Sequence, residues 1–189
     1  MKKALIAMAA MAIIPMLLKA QNASEGTVKI MKAESSAAIA TYDYPEEIVA
    51  QALTIKLEKA GLGKQRKQQG FFTYKGASWP EVSSEKLDVY VKVESKKKST
   101  IVSLVTAKGY DNFVSSSSDA ATMEKMKQFL NDFAAEVATY NEQQLEIAEK
   151  EAKLEKAHKA AEEHAKKQKK LESERAKLEE ELKKAKKSS

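Results

Sequence analysis

Histidine and cysteine carry most nucleophilic and metal-site chemistry, and this chain holds two of the first, His158 and His164, and none of the second. A separation of six puts the two imidazoles about 240° apart around a helix, not on the shared face that an i, i+4 pair occupies, so they do not clamp a metal. Upstream of residue 119 neither type occurs, which removes the usual Ser-His and Cys-His nucleophile arrangements. Ser115 to Ser118 then read as loop and cap residues. The stretch GLGK at 61 to 64 ends like a phosphate loop, but that loop needs glycine where Glu58 stands and Ser or Thr where Gln65 stands. Asp43, Glu58, Asp88 and Asp111 are scattered, without the spacing of a glycosidase pair. The expectation is a protein that is not an enzyme, with no cofactor and no metal.

Aromatic recognition is the remaining chemistry. GFFTYKGASWPEV gathers Phe71, Phe72, Tyr74 and the only tryptophan, Trp79, which stands before Pro80 in a loop. Tyr110 and Phe113 in KGYDNF can complete the group. Such side chains either plug a core and its loops or offer a glycan, peptide or protein an apolar face with a hydrogen-bonding edge. The candidate surface is therefore Phe71, Phe72, Tyr74, Trp79 and Tyr110. Beside it, GKQRKQQ carries Lys64, Arg66 and Lys67, a basic loop for water or an anionic surface.

The elements that must position these residues begin after a leader. Lys2 and Lys3 precede an apolar run from Ala4 to Leu18, and Ala20 offers a small residue for cleavage before Gln21. The run falls short of the roughly 20 apolar residues of a membrane span and contains Pro15. Residues 1 to 20 are thus expected to be a cleaved secretory signal, the mature chain being periplasmic or secreted with no stable membrane insertion. Lacking cysteine, it has no thiol for lipid attachment and no disulfide staple.

Loss of Lys2, Lys3 and Lys19 leaves 30 basic against 27 acidic side chains. Residues 21 to 118 hold 14 basic and 11 acidic groups, and residues 119 to 189 hold 16 of each. Interspersed signs do not build the one-sided basic face of a nucleic-acid binder, so no nucleic acid is expected.

Between Gln21 and Ser118 the sequence predicts a small α+β domain. TVKIMK and AAIATYDY read as one or two strands, with Ala33 to Ser36 as a possible turn. PEEIVAQALTIKLEKAGLG reads as a helix, with Pro45 at its first position, Glu46 and Glu47 at the positive end and Gly61 as a stop. Its apolar face comprises Ile48, Val49, Ala52, Leu53, Ile55 and Leu57. Three strands follow: GFFTYKG, LDVYVKVES and STIVSLVTAKG. In the second, Leu87, Val89, Val91 and Val93 alternate with Asp88, Tyr90, Lys92 and Glu94. In the third both faces are apolar, which predicts cover on both sides. Ser95 to Ser99 suit a hairpin turn. The order strand, helix, three strands, helix implies a two-layer sandwich on a mainly antiparallel sheet.

SSSSD at 115 to 119 offers caps for a last helix that no glycine or proline interrupts. Met123, Met126, Phe129, Leu130, Phe133, Val137 and Tyr140 form a stripe at helical spacing, which predicts packing of residues 119 to 145 on the domain. Residues 146 to 189 form a charged helical tail. A heptad seam through Ile147, Leu154, Ala157, Ala161, Leu171, Leu178, Leu182 and Ala185 also contains Lys150, His164, Gln168 and Arg175. Seven Glu-before-Lys pairs at spacing four, from Glu146 and Lys150 to Glu180 and Lys184, contribute about 0.2 to 0.5 kcal/mol each. The tail is expected to be a strut, a coiled coil or a frayed end. In composition, Glu149 to Lys187 resembles the envelope-spanning helical region of TolA-like proteins, which implies a spacer and transfers no binding residue.

Together these features predict an interaction or scaffold protein whose domain docks a protein partner while the tail spaces it or joins copies weakly. The alternative is a glycan- or peptide-binding module built on the aromatic segment.

Overall fold

The computed structural model describes residues 23–30, 33–109 and 112–187. The expected signal, residues 1 to 20, lies outside them. The chain divides between Val137 and Ala138 into two compact units.

The first unit is α+β. Its six strands are β1 (Ser24–Ile30), β2 (Ala33–Tyr42), β3 (Arg66–Gln68), β4 (Phe71–Ser78), β5 (Lys86–Lys96) and β6 (Ser99–Ala107), with α1 (Glu46–Lys59) between β2 and β3 and α2 (Ser116–Lys187) after β6. All pairings are antiparallel in the order β1-β2-β6-β5-β4-β3. The expected order is strand, helix, three strands, helix; the observed order has two strands before α1 and four after it. Ala33 to Ser36 belong to β2, opposite β1. The basic loop supplies β3, whose three residues are all exposed.

Alternation decides which side chains reach the helices. Ala38, Ala40 and Tyr42 of β2, Val102, Leu104 and Thr106 of β6, and Leu87, Val89 and Val91 of β5 are buried on one face. Helix α1 adds Val49, Ala52, Leu53 and Leu57, while Ile55 from the expected apolar face stays exposed. Pro45 stands one position before α1 as its cap, where its missing N–H costs nothing. Gly61 follows with φ +84, a conformation in which a Cβ is disfavoured. The first part of α2 completes the layer with Met123, Met126, Leu130, Phe133 and Val137.

The opposite sheet face has a smaller core made without a helix. Ile30, Ala37, Phe71, Tyr90, Val105 and Ala107 cluster there, with Val28, Ile39 and Phe113 partly covered. This follows from a departure in the ladder. β2 pairs with β6 only from Ala38 to Tyr42. Beyond that point Val114 N–H donates to the Thr106 carbonyl at 2.9 Å, and Phe113 bridges Ala107. The segment after β6 takes the edge that β2 leaves, and the β1–β2 hairpin supplies Ile30 from its tip and Ala37 from opposite Gly26 to the second core. β6 is consequently buried on both faces, as its apolar alternation implied.

Helix α2 begins twice. Asp119 interrupts it with φ −155 and ψ 80, and its carboxylate accepts from Thr122 N–H at 3.0 Å and from the Thr122 hydroxyl at 2.6 Å. Asp119 is therefore the N-cap of the continuous helix, and Ser116 to Ser118 form a separate turn before it. In the second unit, from Ala138 onward, the chain remains helical to Lys187. Every side chain from Leu145 to Lys186 is exposed.

Candidate functional site

The aromatic segment sits on β4 and the turn after it. Trp79 is fully buried and meets the Phe129 ring edge to face, 4.8 Å between centroids and 87° between planes. Its carbonyl accepts from Val82 and Ser83 N–H, which closes the WPEV turn. The indole N–H has no hydrogen-bond partner among the described residues. Tyr74 is also buried, and burial, aided by the charge of Glu58, pushes its phenol up to about 12. Phe71 belongs to the second core. Phe72 is half-buried, with the Lys67 ammonium 5.9 Å from its ring centre. Tyr110 lies outside the described residues. Of the five candidates, then, Phe71, Tyr74 and Trp79 present no open face in this conformation.

A polar group that the sequence reading did not assemble lies on the helix-free face. The ladder between β4 and β5 shifts between Tyr74 and Ala77, a bulge at Lys75 and Gly76, where Gly76 has φ +58. A bulge re-aims its side chain. Here the Lys75 ammonium reaches the Asp88 carboxylate at 2.9 Å, donates to the Tyr90 hydroxyl and lies 4.5 Å from that ring's centre. Asp88 also accepts from Gly76 N–H at 2.8 Å. Burial opposes the charge on Lys75, but hydrogen bonds to Tyr90 and Asp88 outweigh it and raise the lysine above its usual value. A lysine that serves as base or nucleophile needs the reverse shift. This group can recognise charge and hold the bulge; it is not poised for proton abstraction. Alternation places Asp88 and Tyr90 together in the sequence, whereas Lys75 joins them only through cross-strand register and the bulge.

A second cluster joins β6 to the start of α2. Lys108 bridges Glu85 at 3.1 Å and Asp119 at 3.0 Å. The Thr122 hydroxyl and N–H, then Lys108, hold the Asp119 carboxyl down at about 2. Its chemistry is accounted for by capping and pairing.

His158 and His164 are exposed on the second unit, and no group of three or more His, Cys, Asp or Glu converges among the described residues. No helix among them is long and apolar enough to cross a membrane. The second unit instead presents charge pairs and isolated leucines. Glu146 and Lys150 meet at 2.6 Å, Glu149 and Lys153 at 2.5 Å, Glu155 and Lys159 at 2.6 Å, and Glu180 and Lys184 at 2.8 Å. Arg175 adds a reverse pair to Glu179 at 2.8 Å. Leu145, Leu154, Leu171, Leu178 and Leu182 are each more than half exposed.

No protein family, curated protein or solved structure matches the chain.

Proposed function

We propose that this is a non-enzymatic secreted or periplasmic interaction protein, whose α+β unit docks a protein partner and whose C-terminal helix acts as a strut or joins copies. The observation that carries the reading is the uninterrupted helix exposed on every side from Leu145 to Lys186. A helix with no buried face draws its stability from propensity and spaced charge pairs, so it can project through solvent without a core of its own. Supporting it, the reactive-looking lysine is held protonated and the large aromatics of β4 serve the core.

Cross-linking in the source cells tests this by comparing the full chain with one ending at residue 145. The expected result is export of both forms, with adducts to the first unit retained and assembly or positioning lost in the short form. Identical adducts from both forms would sink the strut reading. If the short form also retained a glycan or peptide ligand, the assignment would pass to the ligand-binding alternative.

A further inference from the structure

We infer that the end of the tail, residues 167 to 186, is a parallel pairing face for a second copy of this chain, whereas the tail before it is an unpaired spacer. This rests on the scaffold reading above and assigns its joining element. In the heptad register through Leu154 and Leu182, Leu171, Leu178 and Ala185 fall at d and Leu182 at a. Leu171, Leu178 and Leu182 are 65%, 64% and 56% exposed and, with Glu174, Arg175 and Glu179, line one shallow concavity on the helix. Gln168 and Arg175 stand at a, but the d row is apolar without a break from Leu171 to Ala185, whereas upstream Lys150 and His164 interrupt it.

The flanking charges select the partner and its direction. In a parallel pair each g residue faces the e residue five positions later on the other helix. Lys167 then meets Glu172 of the second copy, and Glu181 meets Lys186, each contact occurring twice by symmetry. Two like-charge contacts remain and lie side by side, Glu174 with Glu179 and Arg175 with its counterpart at a, and there each Arg175 already binds Glu179 of its own helix at 2.8 Å. Reversing one helix so that Leu182 faces Leu171 sets Glu174 against Glu181 and Glu172 against Glu179, with no opposite-charge contact among them. The apolar seam and the complementary charges coincide in this segment alone. Three leucines and an alanine per chain fall well below the about 1,200 Å² of a stable interface, so the pair is weak and depends on concentration.

The native chain has no cysteine, which makes single-cysteine variants clean reporters of direction. In the chain from Gln21 to Ser189, Ala185→Cys places a thiol at d, where a parallel pair brings the two Cβ atoms within disulfide reach. Lys166→Cys at f is the control. Under mild oxidant Ala185→Cys is expected to form disulfide dimers at least about tenfold faster than the control, a gain abolished by adding Leu178→Glu. Equal rates for the two variants would overturn the pairing and leave the strut reading standing. A mixed disulfide between Ala185→Cys and Gln168→Cys forming faster than the Ala185→Cys homodimer would overturn the parallel arrangement. Because only purified chain is present, neither result bears on whether the α+β unit docks a partner.

Discussion

The Tyr42 hydroxyl donates to the carbonyl oxygen of Leu130 at 2.6 Å, joining the last residue of β2 to the middle of the packed part of α2. The Tyr42 ring also stands edge-on to Phe133, 5.1 Å between centroids. Burial holds the phenol far above its ordinary value, so it remains a donor throughout the range in which the protein is handled. Tyr42→Phe keeps the ring and removes the donor. The expected loss is about 0.5 to 1.5 kcal/mol, read as a lower urea midpoint at unchanged slope. A midpoint equal to that of the wild type would show that this bond adds nothing to the docking of α2.

Trp79 gives a built-in probe because it is the only tryptophan and is fully buried. Its native emission is expected to be blue-shifted and shielded from iodide, moving to the red in one transition with global unfolding. Trp79→Ala removes the ring that Phe129 packs on and should cost about 3 to 5 kcal/mol. Emission like that of free indole in the native state would contradict the burial described above.

Asp119 makes stability depend on acid. Unfolded, its carboxyl titrates near 3.8; folded, the Thr122 hydrogen bonds and Lys108 hold it down at about 2. Below its ordinary value the unfolded chain binds the proton more readily, so its contribution is present above pH 4 and is lost as pH falls to 2. Asp119→Ala should cost about 1 kcal/mol near neutral pH, the usual value of a lost N-cap. It should also flatten the fall in melting temperature between pH 4 and 2. An unchanged acid slope in the variant would assign that fall to other carboxylates.

The first unit holds its core without help from the tail, since every buried side chain among the described residues lies at or before Val137. Truncation after residue 145 should leave its urea unfolding within about 0.5 kcal/mol of the full chain, as surface changes away from a core do. A larger loss would mean that the tail contributes to the stability of the domain.

Much of the fold was legible because alternation and helical spacing are local. Leu87, Val89 and Val91 were assignable to one face from their spacing alone, and Met126, Leu130 and Phe133 to one stripe. Lys97 and Lys98 form the tight turn between β5 and β6 that Ser95 to Ser99 suggested, with Lys97 at φ +58. β3 was not legible: RKQ is polar throughout, and it becomes a strand only because Phe71 to Thr73 offer it an edge. Trp79 could be core or surface until the chain was folded, because its burial depends on Phe129, fifty residues away. The Lys75 group was hidden for a related reason. Register across strands is a property of pairs, and a bulge changes it without any marker except Gly76.

The order of the strands has a temporal meaning. β6 is synthesised after the other five strands of this sheet and lies in its middle, with Ala38 on one side and Val91 on the other opposite its Leu104. Until residues 99 to 107 emerge, the β1–β2 hairpin and the β3–β5 meander share no ladder, and each has an open flank. A chain that passes through a narrow channel from its N-terminus can begin both halves, but it cannot close the sheet before most of the domain has come through.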